Sequence, residues 1–367
     1  MALWYLRKKN ELEDVKEKYK HLTMPSQYYL MILPTYQCNL RCWYCTQDHE
    51  NLFLTSKTIE RIKSLIKKRL SKKGINHFLL TWFGGEPLMS YDHLLDLTIF
   101  SRDLAQSLGK TFDCSITTNG TLLTDSRIKE LREAGVTHYQ ITIDGTPEEH
   151  DSIKILRGAS AFKTTMSNIN QIAQHIHTTL RFNYTKENLK PDSIIDGINQ
   201  YISEEAKSNI RFSIQKVWQE ESEIDSNVVD YLINQARANG LTPSTIHHGL
   251  CYTDYRYFDC VFPNGKVGKC DNMPPNDLPG KINSEGDIIW SEDISDLYAG
   301  HLFDGRQQEC QNCKYLPLYW GPCVVKREQQ LRDSGKIICI YPCKDKEFAN
   351  HIINIIQSTT TMLHIEA

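Results

Sequence analysis

Between residues 29 and about 240, short apolar runs alternate with longer stretches in which apolar side chains return every three or four positions. The short runs predict strands over 29–34, 77–83, 112–117, 139–143, 180–184 and 210–217. The longer stretches predict helices over 57–71, 92–107, 125–134, 160–177, 191–206 and 226–239. In the first of these, Ile59, Ile62, Leu65 and Ile66 fall on one helical face. Six strands alternating with six helices argue for an α/β fold built on a parallel sheet. Right-handed crossovers wrap such a sheet into an open, partial (β/α)6 TIM-type barrel. From about residue 245 helical periodicity fades, and cysteine, glycine, proline and aromatic residues dominate, as in CYTDYRYFDCVFPNGKVGKC and CQNCKYLPLYWGPC. A segment of that texture buries little aliphatic surface and needs a covalent or metal staple. The expected organisation is a helical extension over 1–27, the α/β unit over 28–240, a cysteine-rich domain over 241–346 and a helical tail over 347–367. There is no internal repeat and no low-complexity tract.

Composition narrows the function classes. The 367 residues are 40% hydrophobic and carry a formal net charge of −3, so no basic excess points to nucleic acid. The basic run KKRLSKK over 67–73 reads as a solvated helix face. No apolar run reaches the ~18–20 residues that span a bilayer, and the N-terminus has no signal-peptide core. The default expectation is a cytoplasmic protein. Twelve cysteines stand out against that expectation, because a reducing compartment disfavours disulfides and clustered thiols there read as metal ligands or redox groups. Three lie between 38 and 45 and eight between 251 and 343. Cys114 stands apart, within a strand, and is expected to pack as a small apolar residue.

The first group, TYQCNLRCWYCTQ, places Cys38, Cys42 and Cys45 at C-x3-C-x2-C directly after the first strand. Active sites of parallel α/β folds sit at that end of the strands. Three thiolates leave one iron of a cubane cluster without a protein ligand. That iron can chelate the amine and carboxylate of a small molecule, and the reduced cluster can pass one electron to a sulfonium. A zinc site is the competing reading, but no nearby histidine or fourth cysteine completes a tetrahedral set.

This motif resembles that of the radical SAM superfamily, which uses a [4Fe–4S] cluster to cleave S-adenosylmethionine (SAM). Further segments carry the resemblance. Trp82-Phe83-Gly84-Gly85-Glu86-Pro87 resembles the GGE motif, which implies that the Gly84 and Gly85 backbone and the Glu86 carboxylate receive the methionine ammonium. Thr117-Thr118-Asn119-Gly120 follows the third strand, placing Asn119 at the cofactor. Thr142-Ile143-Asp144-Gly145 ends the fourth, and the resemblance puts Thr142 near the SAM carboxylate or ribose, with Asp144 beside it. Tyr44 resembles the aromatic residue that adjoins the adenine. EEHDSIKILRGASAF resembles an HD-x-x-R stretch in which Lys154 stands where arginine is usual; a lysine can reach the carboxylate as a point charge but without a fork.

The later cysteines resemble a SPASM domain, which holds auxiliary [4Fe–4S] clusters. Cys251, Gly265 and Cys270 match its opening, Cys310, Cys313 and Cys323 its continuation, and Tyr319 stands where the pattern has a cysteine. Either the second auxiliary cluster lacks a ligand, or a late cysteine substitutes. Counting favours the second, with Cys251, Cys260, Cys270 and Cys323 on one cluster and Cys310, Cys313, Cys339 and Cys343 on the other; zinc at the same ligands is the alternative. Three clusters and SAM are the implied cofactors, with an external one-electron reductant. Fully ligated clusters relay electrons, which favours a net oxidation of the substrate.

Enzymes of this architecture commonly act on peptides or proteins. The first expectation is therefore a peptide maturase that cross-links side chains of a ribosomally synthesised precursor. The second is a sulfatase maturase forming formylglycine. Asp271, directly after Cys270, matches the proton-accepting aspartate of sulfatase maturases; the plainer reading is a loop carboxylate accepting backbone hydrogen bonds. Thirty-seven residues precede Cys38, too few for a winged-helix leader-binding domain. Leader recognition then falls to a separate protein, the N-terminal segment or the barrel rim. The acidic stretch 218–225 and the aromatic run 252–258 could line a peptide groove or simply cover the surface and clusters. A non-enzymatic electron carrier and a zinc-stabilised binding module are the remaining readings.

Overall fold

The computed structural model describes residues 16–17, 19, 26–245, 251–291, 323, 329–330 and 333–335. Cys310, Cys313, Cys339, Cys343 and the tail over 347–367 lie outside the described residues, as do residues 1–15 of the N-terminal extension.

The six expected strands are present as β1 (Gln27–Ile32), β2 (His77–Trp82), β3 (Thr111–Thr118), β4 (Val136–Ile143), β5 (His177–Tyr184) and β6 (Ile210–Lys216). Five more follow: β7 (Thr242–Thr245), β8 (Phe258–Val261), β9 (Lys266–Gly268), β10 (Gly280–Ile282) and β11 (Ile288–Trp290). All eleven form one sheet in the order β11-β10-β9-β8-β1-β2-β3-β4-β5-β6-β7. Strands β1 to β7 run parallel, and β8 pairs parallel with β1. Strands β9 to β11 then fold back antiparallel from β8. The cysteine-rich stretch therefore begins by extending the same sheet, with Cys260 opposite Met31 of β1.

The helices sit where their caps put them. Helix α1 (Ser56–Leu70) starts at Thr55, whose hydroxyl accepts from the Thr58 amide, and buries Ile59, Ile62, Leu65, Ile66 and Leu70. After α2 (Tyr91–Ser107), helix α3 (Asp125–Ala134) ends at Gly135, where φ of 103° suits only glycine. A helix not expected from periodicity, α4 (Pro147–Ile153), is set by a capping box of Thr146 and Glu149 with proline in its first turn. Helix α5 (Ala161–Ala173) stops short of residue 177. The expected helix over 191–206 is two, α6 (Pro191–Tyr201) and α7 (Glu204–Lys207), because Ser203 caps a second start. Helix α8 (Ser226–Ala238) completes the set.

The two faces of the sheet differ in character. Toward the helices point Leu80, Trp82, Ile116, Ile141, Ile143, Leu180, Phe182, Phe212 and Ile214, all buried in one core. The opposite face carries Thr81, Ser115, His138, Gln140, Thr142, Thr179, Arg181, Asn183 and Ser213. Thr81 bonds Ser115 across β2 and β3 at 2.9 Å, and Thr179 bonds His138 across β4 and β5 at 3.1 Å. A closed eight-stranded barrel fills its interior with branched apolar side chains. Here the inner face is polar, which suits a hydrated, ligand-holding interior. Among the described residues, no helix is long and apolar enough to cross a membrane.

Part of the basic run over 67–73 is not simply solvated. Arg69 turns inward, its Nε 3.1 Å and Nη2 3.0 Å from the buried Asp259 Oδ2 of β8.

Candidate active site at the carboxyl ends of the strands

Loops leaving β1, β2, β3, β4 and β6 enclose a cavity of about 250 Å³. Its wall includes Cys38, Cys42 and Cys45, the Gly84 and Gly85 backbone, Asn119, Thr142, Lys154, Arg181 and Asp271. Residues from eight separate stretches of sequence thus face one space.

The cysteine loop is docked on β2 through glycine. Gly85 donates its amide to Thr35 O at 3.1 Å, and Glu86 donates its amide to Gln37 O at 2.8 Å. A Cβ on Gly85 would lie 2.2 Å from Gln37 O and 2.4 Å from Tyr36 O. Gly84, at φ 119°, would put a Cβ 2.6 Å from Thr35 O. The two glycines let the segment that delivers Cys38 lie directly on the end of β2.

Glu86 is fully buried and stands behind the cavity wall. Its Oε1 accepts from the Thr118 hydroxyl at 2.7 Å and the Leu88 amide at 3.0 Å, and its Oε2 from the Asn119 amide at 2.8 Å. Burial raises its pKa, and those three hydrogen bonds oppose the rise. The carboxylate therefore ties the ends of β2 and β3 together, and Oε2 keeps a lone pair free of these bonds. Asn119 carries the link onward, donating from Nδ2 to Asn39 Oδ1 at 2.9 Å and to Cys38 Sγ at 3.6 Å.

Burial pushes the Cys38 thiol up to about 11 and raises Cys42 as well. Such thiols become thiolates when a bound cation takes the place of the proton. Among the described residues, no three Cys, His, Asp or Glu side chains converge on one point as ligands of a single metal ion. A cubane cluster asks for something else: each thiolate binds a different iron, so its ligands stand farther apart. Three thiols in one loop, over a glycine-floored cavity, fit that group.

Asp144 directly follows β4 and has no exposed surface. Its Oδ1 accepts from the Tyr44 hydroxyl at 2.5 Å, and Lys154 Nζ lies 2.7 Å from its Oδ2. Lys154 also donates to Thr142 O at 2.7 Å and is itself almost wholly buried. Burial, reinforced by the Asp144 charge, raises the Tyr44 pKa.

Arg181 is a site residue that motif reasoning missed. It pairs with Thr142 across β4 and β5 and so shares the cavity-facing side. Burial lowers its pKa, while Tyr44, Asp271 and Asp144 face it and oppose the shift. Its Nε donates to Asn183 Oδ1 at 2.8 Å. The sequence signal is the alternation in TTLRFNY, which sets Arg181 and Asn183 on the face opposite Leu180 and Phe182.

On the far side, Asp271 accepts a short hydrogen bond from the Tyr252 hydroxyl. Tyr252 packs on Phe258 and, edge-on, on Tyr29, so the aromatic run covers this end of the sheet. From the acidic stretch, Trp218 and Gln219 reach the cavity, and Gln219 Nε2 donates to Tyr44 O at 2.9 Å. Burial raises the Cys251, Cys260 and Cys270 thiols; Cys323 adds to the rise at Cys251 and Cys270, and Cys270 adds to that at Cys260. Cys114 is fully buried, its thiol pushed up to about 12 by burial, as an apolar packing residue would be.

Residues 32–196 match the Radical SAM superfamily. The chain carries a radical SAM domain. That domain implies a SAM-binding [4Fe–4S] cluster and SAM itself. Among relatives, the GTP 3',8-cyclase of Microcystis aeruginosa is 34% identical over 195 residues, covering 52% of this chain and 54% of that protein. The serine-type anaerobic sulfatase-maturating enzyme of Bacteroides thetaiotaomicron is 32% identical over 158 residues, covering 40% and 37%. The chain thus spans about half or less of the length of these relatives. Among solved structures, anSMEcpe with bound AdoMet and Kp18Cys peptide superposes with a TM-score of 0.65 at 18% identity, covering 91% of this chain and 99% of that one. SuiB of Streptococcus suis bound to precursor peptide SuiA gives 0.55 at 17% identity, covering 89% and 77%. These likenesses show that the radical SAM domain here shares their fold.

Proposed function

We propose that this protein is a radical SAM enzyme that oxidatively modifies a peptide, cross-linking side chains of a ribosomally made precursor. The observation that carries the reading is the single cavity that brings Cys38, Cys42 and Cys45 together with the glycine backbone of residues 84–85 and with Asp271. Structures of the same fold have been solved with peptides bound, which supports a peptide as substrate.

Cys38, Cys42 and Cys45 would hold the cluster. When bound, it supplies one electron to the sulfonium of SAM, breaking a C–S bond and releasing a 5'-deoxyadenosyl radical. The Gly84 and Gly85 backbone, Asn119 and Thr142 offer donors and acceptors to SAM, and Glu86 braces that wall from behind. Tyr44 bounds the cavity on the side where the adenine would lie. Lys154, which donates to Thr142 O and pairs its charge with Asp144, has a further N–H to offer a ligand oxygen. Asp271 would accept the proton that the substrate loses as its electron leaves. Cys251, Cys260, Cys270 and Cys323 would hold one auxiliary cluster, and Cys310, Cys313, Cys339 and Cys343 a second, passing that electron out.

A second reading, formylglycine formation on a sulfatase, is favoured by the place of Asp271 beside Cys270 and in the cavity wall. Anaerobic reconstitution followed by SAM, a one-electron reductant and candidate substrates separates the possibilities. The expected protein binds about twelve irons, three clusters of four. A precursor peptide encoded beside the gene is expected to lose hydrogen in step with 5'-deoxyadenosine formation. Conversion of a sulfatase peptide instead selects the second reading. Turnover of GTP with both peptides untouched rejects the peptide class.

A further inference from the structure

The lysine that replaces the expected arginine has a partner in this chain. We propose that Asp144 and Lys154 form a positioning pair that clasps the cysteine loop through Tyr44. The inference rests on the reading that this loop holds the cluster, and it adds what holds the loop.

Between Arg41 and Cys45 the loop makes few bonds to the body of the protein; Arg41 donates to the neighbouring Cys38 and Leu40 carbonyls. Arg41, Trp43 and Cys45 are exposed, with Trp43 at 58%. Inside the loop, one backbone bond joins Cys45 N to Cys42 O at 3.1 Å. Outside it, Gln219 reaches the Tyr44 carbonyl. The Tyr44 side chain is the part that enters the body of the protein. Its hydroxyl ends on Asp144, 100 residues along the chain.

The Asp144 backbone is held at both its amide and its carbonyl. Its amide donates to His150 Nδ1 at 3.2 Å, and its carbonyl accepts from Asn188 Nδ2 at 3.1 Å. Lys154 supplies the compensating charge at 2.7 Å without which a carboxylate of zero exposure would be strongly disfavoured. A compact ammonium suits this place better than a planar fork, because it serves Asp144 and the Thr142 carbonyl, which lie two residues apart, from one atom. The phenol then donates to an ionised acceptor, the stronger kind of hydrogen bond. Tyr44 lies between Cys42 and Cys45, so a fixed ring fixes the spacing of two thiols.

A double-mutant cycle of Tyr44→Phe and Asp144→Asn tests the clasp on the reconstituted protein, read by SAM affinity and by the EPR spectrum of the reduced cluster. Each single change is expected to weaken SAM binding about tenfold, the worth of a hydrogen bond to a charged group. The double variant should be no weaker than the worse single one, because both remove the same contact. The singles should also broaden the EPR signal. Effects that multiply in the double variant overturn the clasp. Amide exchange over 42–45 gives a second readout that needs no cluster. Tyr44→Phe, which removes only a hydroxyl, is expected to speed that exchange about tenfold. Unchanged exchange overturns the proposal whatever the metal content. A wild-type protein that binds neither iron nor SAM, yet shows the exchange difference, refutes the cofactor reading and leaves the clasp standing.

Discussion

Gly85→Ala is expected to empty the cysteine loop of iron while the sheet stays folded. The added methyl would sit 2.2 Å from the Gln37 carbonyl and 2.4 Å from that of Tyr36. Both neighbours are backbone, so neither can swing aside as a side chain would. The loop must lift from β2, breaking the bonds of Gly85 N to Thr35 O and Glu86 N to Gln37 O. Cys38 follows directly, and the contacts of Asn119 to Cys38 and Asn39 go with it. Overpacking of this kind costs about 1–3 kcal/mol, which a sheet of eleven strands tolerates. After anaerobic reconstitution, iron should fall by the about four atoms of one [4Fe–4S] cluster, with far-UV circular dichroism unchanged. Full iron content in this variant would show that the glycines are not what docks the loop.

The second large effect is on stability. Asp259→Ala should destabilise the protein by about 3 kcal/mol, the lower end of the range for breaking a buried ion pair. Asp259 is buried on β8, between Arg69 of α1 and Lys269, whose Nζ lies 3.9 Å from Oδ1. Burial pulls the Lys269 amine down to about 7, and Asp259 opposes that shift. Loss of the carboxylate leaves the buried Lys269 amine, which also donates to Phe258 O, without its counter-charge. Arg69 keeps part of its side chain in solvent and can turn outward, which limits the loss. Asp259→Asn, which still offers an oxygen to Arg69, should cost less. Urea unfolding measures both, and a loss under about 1 kcal/mol for the alanine variant would show that the pair does not bind β8 to α1.

Much of this arrangement is legible in the sequence because it is local. Runs such as HFLLTW and HYQITI mark strands, and threonine, serine and aspartate caps mark helix starts. The three cysteines and the glycine pair are contiguous motifs, so the candidate site is legible too. What escaped reading depends on register or on distance. Arg181 joins the site because β5 pairs it with Thr142, a match that no local pattern reveals. Tyr44 and Asp144 meet across 100 positions. The polar inner face was present as alternation, but a parallel sheet is expected to be apolar on both sides, which hides its meaning. Strand β8 is four residues long within an aromatic, cysteine-rich stretch, and its partnership with β1 is decided by the tertiary fold. Gly85 was legible as a close approach, but the approaching backbone is the chain's own.

Cys38, Cys42 and Cys45 are proposed to hold a cluster that cleaves SAM. The direct measurement is 5'-deoxyadenosine formed from SAM by the anaerobically reconstituted, reduced protein, compared with a variant in which all three cysteines are alanine. The wild-type chain is expected to form it and the variant to form none. Iron-loaded wild-type protein that leaves SAM intact, or a triple variant that still cleaves it, would contradict the account.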